Sequence, residues 1–165
     1  MAARRQLLLN AIGFQVCWFA CVFGGSAIAL LVVGIFVAWQ HRYWQPAEWR
    51  LLLGVTLAGI AMDTLWLHSG LITFDGQSLP VIPLWLALLW LAFAATLLHS
   101  LQWLMSKPLL LGVASLLAAP LSYYAGSRTG ALQLSESALP AIAAGWGILM
   151  LTSALLWRRF SCSVS

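Results

Sequence analysis

Charged residues are scarce in this sequence and make up only 7% of its 165 residues. Soluble domains carry roughly 25% charged residues, so a chain with so few cannot keep a globular surface in water. This shortage excludes a soluble enzyme or a soluble binding domain. Because a helical span needs about 20 apolar residues, the length allows about five to seven spans and no separate soluble domain.

The sequence also lacks the motifs of common soluble active sites. It has no glycine-rich phosphate loop, no nucleophile elbow and no histidine-rich metal pattern. Three cysteines do not suggest a disulfide framework. Cys17 and Cys21 share one helix face, but no histidine lies near them in sequence, and cysteine packs well as a small apolar residue. We therefore expect no metal site and no cofactor.

The basic residues do not form a nucleic-acid-binding face, although the net charge is +4. They occur singly or in pairs beside the apolar segments, where the positive-inside rule places them. We expect no nucleic-acid partner.

What the sequence does contain is six apolar runs. They cover residues 7–23, 26–40, 48–67, 80–104, 108–125 and 137–157. Only Gly24-Gly25 separates the first two. With six spans and the N-terminus inside, seven basic residues lie on the cytoplasmic side and one, Arg128, lies outside. If the first two runs form one span, three basic residues lie inside and five outside. The positive-inside rule therefore favours six spans. The sequence therefore predicts an all-α polytopic membrane protein, a single domain over 1–165 with six transmembrane helices and both termini cytoplasmic.

Asp63 is the most informative polar residue. It lies about 14 residues into the third predicted helix, roughly 20 Å deep. Ionisable residues inside a bilayer are expensive and usually face an interior site. We predict that Asp63 is a catalytic or proton-accepting carboxylate. The alternative is that it holds helices together by hydrogen bonds.

A second group follows Pro120, which should kink the fifth helix. Tyr123, Tyr124 and Arg128 are predicted to line a substrate-binding pocket above Asp63, able to hold a phospholipid headgroup or relay a proton. The alternative is an ordinary interfacial rim, with tyrosine in the aromatic belt and arginine reaching the headgroups.

A third group lies in the inner half of the fourth predicted helix. Thr96, His99, Ser100 and Trp103 would share one face at helical spacing. His99 is a second candidate catalytic residue, about 7 Å from the cytoplasmic end and too far from Asp63 for a direct pair. The alternative for His99 is a helix–helix contact. Gln15, in the first helix, is a candidate internal hydrogen-bonding partner and a candidate substrate-binding residue.

The sequence resembles a family of short bacterial inner-membrane proteins known only as a domain of unknown function. The residues that carry the resemblance span nearly the whole chain: Asn10, Phe14-Gln15, Trp18–Val22, Asp63, Gly70, Phe74, Pro83–Trp85, Trp90, Phe93–Leu97, Ser100-Leu101, Trp103-Leu104, Pro120–Gly126 and Gly130-Ala131. The family often has Asn before the histidine of the fourth helix, where this chain has Leu98.

The resemblance implies a multi-pass protein of the bacterial cytoplasmic (inner) membrane, whose relatives often lie near genes for fatty-acyl modification. The leading hypothesis is a factor that acts on or presents membrane lipids, and the sequence leaves open whether it is an enzyme. One alternative is a small oligomeric proton-coupled transporter. Another is a structural or assembly partner of a second membrane protein.

Overall fold

The fold is all-α, as predicted. The computed structural model describes residues 2–76 and 79–161, and 76% of these described residues are in helices. The elements are α1 (Ala2–His41), α2 (Glu48–His68), β1 (Ile72–Thr73), α3 (Leu84–Ala94), α4 (Gln102–Met105), α5 (Pro108–Arg128), β2 (Gln133–Leu134) and α6 (Ala138–Ser161).

The first helix is broken at Gly25 into two halves that lie side by side. Gly25 has φ 65° and ψ −173°, a conformation that residues with a Cβ rarely adopt. The ring of Phe36 packs directly against Gly13, where an added Cβ would meet it at 2.7 Å. In a straight helix these residues would be about 34 Å apart. The two runs on either side of Gly24-Gly25 are therefore separate antiparallel helices.

The chain divides into two compact units. Unit 1 contains residues up to Ile60 together with Val81–Gln102. In it, α1 packs against α3, and the indole of Trp90 lies against Gly59 of α2, where there is no room for a Cβ. Cys17 and Cys21 are buried. Small and aromatic residues thus let these helices approach closely.

The predicted helix over 80–104 is wrong beyond residue 94. The helix α3 ends at Ala94, and residues 95–101 form consecutive turns before the short α4. The buried Asn10 side chain stabilises this break: its Nδ2 donates to the Ala95 carbonyl at 3.4 Å, and its Oδ1 accepts from the Ser100 hydroxyl at 2.6 Å. Side-chain partners of this kind let irregular backbone exist at membrane depth. Thr96, His99, Ser100 and Trp103 therefore do not share one helix face.

Unit 2 contains Ala61–Pro80 and Trp103–Ser165, and is built around α5 and α6. Gly112 lies against Leu151, and Gly147 lies against Leu116, so the two helices approach through their glycines. At one end, β1 pairs antiparallel with β2, with Ile72 opposite Leu134. The segments that follow α2 and α5 are thus joined to each other by main-chain hydrogen bonds.

Four helical segments in the described part of the chain are long and apolar enough to cross a bilayer. They are Arg4–His41, Glu48–His68, Pro108–Arg128 and Ala138–Arg159. Large apolar side chains on these helices are exposed, including Leu31, Leu57 and Leu117, each more than 60% exposed. Such surfaces suit contact with lipid rather than water. The length and composition of these helices indicate a membrane protein.

Candidate functional site

Asp63 lies on the buried face of α2 and is 0% exposed. That face is apolar or small along the helix, with Leu52, Val55, Thr56 and Gly59 also buried. A carboxyl group in such a position needs polar partners, because an isolated buried charge is very costly.

The hydroxyl of Tyr123 on α5 supplies one such partner. It donates to Asp63 Oδ1 at 2.6 Å, and the Tyr123 side chain is itself only 6% exposed. Tyr123 comes three residues after Pro120, which lies inside α5 and removes a backbone donor there. This distance is in the range of bonds between a hydroxyl and an ionised oxygen, which are stronger than neutral ones.

Two tryptophans enclose the pair. The ring of Trp66, one turn beyond Asp63 on α2, meets the Tyr123 ring edge to face at 6.1 Å between centroids. Trp146 of α6 interacts with the Tyr123 side chain. Gly145 makes this packing possible, because a Cβ there would meet the Trp66 ring at 2.6 Å and the Met62 sulfur at 2.9 Å.

This arrangement is a buried acid and phenol that share a hydrogen-bonded proton. The carboxylate can accept a proton, and the phenol can donate to it or, when Asp63 is protonated, accept from it. Aromatic rings around the pair exclude water, and low polarity strengthens electrostatic effects at the site.

The structure brings only one of the three predicted pocket residues to Asp63. Tyr124 is 51% exposed, and Arg128, in the last turn of α5, is also exposed. Successive helix residues point about 100° apart, so Tyr123 and Tyr124 face different sides of α5. The exposed face of α5 also carries Leu117 and Leu121, which places Tyr124 and Arg128 at the end of an apolar surface stripe. Substrate binding by these residues stays a prediction.

Gln15 is exposed on α1 in unit 1, which disagrees with the internal position that we expected, and its role in substrate binding stays a prediction. Asn10 is the internal hydrogen-bonding residue instead. Asn10 was among the residues of the family resemblance, but its long-range partners have no local signal in the sequence.

His99 has a partner that the sequence analysis missed. Its Nε2 lies 3.4 Å from Oε2 of Glu48, at the start of α2. The two residues are 51 positions apart in sequence, and only the end of α3 at Ala94 brings His99 into place.

One comparison with known proteins gave a match. A family model described as "Protein of unknown function (DUF2878)" matches residues 7–152, most of the chain. No curated protein and no solved structure matches. The functional interpretation therefore depends on the geometry of the site.

Proposed function

The chain belongs to the DUF2878 family of proteins of unknown function, and from this premise we propose that it is a multi-pass membrane protein in which Asp63 and Tyr123 exchange a proton. The observation that carries the proposal is the 2.6 Å hydrogen bond between a fully buried carboxyl and a phenol on two membrane-spanning helices. Intramembrane acids with such partners are typical of proton-coupled proteins.

Proton exchange at this site changes the bond between α2 and α5. With Asp63 ionised, the Tyr123 hydroxyl donates to a full negative charge; with Asp63 protonated, the bond is between neutral groups and is weaker. Pro120, one turn before Tyr123, leaves the Leu116 carbonyl without its helical partner and makes α5 easier to bend there. Protonation can thus be coupled to a movement of α5, as a small proton-coupled transporter requires.

The direct test is infrared spectroscopy of the purified full chain in lipid over a range of pH. We expect a protonated-carboxyl band that titrates reversibly, that disappears in Asp63→Asn, and whose pH midpoint changes in Tyr123→Phe. The matched controls are Asp75→Asn, an exposed loop acid, and Tyr124→Phe, the exposed neighbour. A band that stays in Asp63→Asn, or no titrating band, would count against the proposal.

A structural role for the pair predicts a different result. In that case Asp63→Asn and Tyr123→Phe lower the unfolding temperature, but no titrating band depends on Asp63. Measuring both quantities on the same samples separates proton exchange from helix cohesion.

We also propose six membrane passes with both termini cytoplasmic, in the bacterial inner membrane. The break at Gly25 and the pairing of β1 with β2 support this topology, since the loops after α2 and α5 then share one side. The test is labelling of single cysteines in a cysteine-free background of whole cells with an impermeant maleimide. Ser137→Cys should label from outside and Ser106→Cys should not; the reverse pattern contradicts the proposed orientation.

A role in handling membrane lipid is the second candidate, favoured by the exposed stripe on α5 that ends in Tyr124 and Arg128. Arginine at the end of a lipid-facing stripe is suited to phosphate contact. The test compares the lipid profiles of cells without the protein, with wild type, and with Arg128→Ala or Asp63→Asn at equal expression. A lipid species that needs the wild type and is lost with either variant supports this function, and identical profiles remove it.

A further inference from the structure

The first half of α1 carries an amide at a depth where a polar group without a partner is costly. Gln15 is exposed, and its side chain has no hydrogen-bond partner within the part of the chain that the structure describes. It lies ten residues after Arg5, which is at the cytoplasmic surface in the proposed topology. Ten residues correspond to about 15 Å of helix, or half of a hydrocarbon core about 30 Å thick. Gln15 therefore lies near the middle of the bilayer, where lipid offers no hydrogen-bond partner.

Thr152 shows how an exposed polar side chain on a membrane-spanning helix can be satisfied without a second chain. Its hydroxyl donates to the Ile148 carbonyl of its own helix, α6, at 2.8 Å. A short hydroxyl side chain can reach the preceding turn in this way. The Gln15 amide has two donor hydrogens and one acceptor oxygen, and it makes no bond of this kind. Its hydrogen-bonding groups are therefore free to bind a partner outside the chain.

The residues around Gln15 follow the spacing of a seam between two helices. Separations of four, three, four and three residues join the members of this α1 seam, which are Leu8, Ile12, Gln15, Phe19 and Val22. This is the heptad repeat, which keeps one row of side chains facing a partner helix. The row is open to a partner, because Leu8, Ile12 and Phe19 are 63%, 59% and 51% exposed.

The α1 seam lies on the side of the helix that its own chain does not use for packing. Asn10, Cys17 and Cys21 are buried, and they mark the face of α1 that packs inside unit 1. At about 3.6 residues per turn, these three residues project from the opposite side of the helix to the seam. The contacts within unit 1 therefore leave the seam available.

We propose that the α1 seam binds the α1 seam of a second copy of this chain, as a parallel pair of helices in which Gln15 faces Gln15. Two copies inserted in the same direction are related by a two-fold axis along the membrane normal, so each seam residue meets its own counterpart at the same depth. An amide is complementary to another amide, because each both donates and accepts. Side-chain hydrogen bonds between helices stabilise association in a membrane, and a polar residue in a heptad seam fixes its register. This interface goes beyond the proposed proton exchange and does not depend on Asp63 or Tyr123.

The first measurement is energy transfer between donor-labelled and acceptor-labelled full chains in phosphatidylcholine vesicles, over a range of protein-to-lipid ratios. Gln15→Leu keeps the size of the side chain and removes the amide, so we expect the dissociation constant of the dimer to rise about tenfold. Gln15→Asn should retain most of the association. Thr152→Val is the matched control, because its hydroxyl is already bonded within α6, and it should change nothing.

Two results would overturn the proposal. One is a wild type that stays monomeric at every ratio, and the other is an equal dissociation constant for wild type and Gln15→Leu. In dilute detergent, where the copies separate, Gln15→Leu should unfold like the wild type. This comparison separates a loss of association from a loss of folding.

Single cysteines in a cysteine-free background locate the interface and keep the native Gln15. Membranes that contain Ile12→Cys or Phe19→Cys, both on the seam, should give a disulfide-linked product of twice the chain mass after treatment with copper phenanthroline. Leu9→Cys and Val16→Cys are the controls, because both positions are exposed but lie to one side of the seam, and they should give little product. Equal cross-linking at all four positions contradicts the seam. A product of any other mass identifies a different membrane protein as the partner and overturns the assignment to a second copy.

Discussion

Replacing Asn10 with alanine tests the break in the helix after Ala94. Asn10 is 0% exposed, and its side chain makes three hydrogen bonds to residues 95 and 100, at 3.4, 3.3 and 2.6 Å. The two longer bonds lie beyond the usual range and contribute about 0.5 kcal/mol each, while the short one contributes about 1 to 1.5 kcal/mol. We expect Asn10→Ala to lower the free energy of unfolding by about 2 kcal/mol.

The assay is reversible denaturant unfolding in mild detergent, combined with amide hydrogen exchange. Asn10→Ala should lose protection at residues 95–101 while α6 keeps its protection. Gln15→Ala is the matched control, because Gln15 is an exposed amide on the same helix, and its effect should stay within about 0.5 kcal/mol.

A double-mutant cycle with Ser100→Ala isolates the shortest bond. We expect a coupling energy of about 1 kcal/mol, near the upper part of the range for polar contacts within membranes. If Asn10→Ala is no more destabilising than Gln15→Ala, or if the coupling is zero, the reasoning that Asn10 holds the break is refuted.

Two glycine pairs give further predictions, each measured as a change in the free energy of unfolding. Gly59→Ala should lower the free energy of unfolding by about 1 to 3 kcal/mol, because its methyl group would overlap the Trp90 indole. Gly54→Ala has open space around it on the same helix, so it should leave the free energy of unfolding unchanged or raise it by up to about 1 kcal/mol. Gly25→Ala should lower the free energy of unfolding by about 1 to 2 kcal/mol, because Gly25 has a positive φ. Gly34→Ala should not lower it, because Gly34 lies in regular helix with no atom close to the added methyl group. Equal effects of the two substitutions within either pair would contradict the structure described.

The sequence predicted those parts of the fold that depend on local pattern. Apolar runs and flanking charges located α2, α5 and α6, because length and hydropathy decide which segments are helices in a bilayer. Gly24-Gly25 marked the break in α1, because glycine is the residue that tolerates its backbone conformation.

The parts that could not be predicted depend on distant residues. Residues 80–104 are mostly apolar and contain no glycine, and no proline after Pro83, so no helix-breaking residue indicates the break after Ala94. Its support comes from Asn10, 85 positions earlier. The approach of Glu48 to His99 is equally non-local.

The candidate site was predicted in part. Asp63 stood out because an acid is rare in an apolar helix, and Tyr123 was included because it follows Pro120. The structure separates Tyr124 from Tyr123, because adjacent residues of a helix do not share a face, and the substrate-binding role of Tyr124 stays a prediction.

The hairpin at Gly25 also has a consequence for biogenesis. Its halves, residues 2–24 and 26–41, would be about 34 Å and 24 Å long, and a single residue separates them. The two halves are not separated by a soluble loop that could be translocated on its own. Neither half can therefore reach its final position before the other is synthesised. In the proposed topology, the insertion machinery must therefore accept residues 2–41 together, and Arg4, Arg5 and Arg42 stay on the side from which the ribosome delivers the chain.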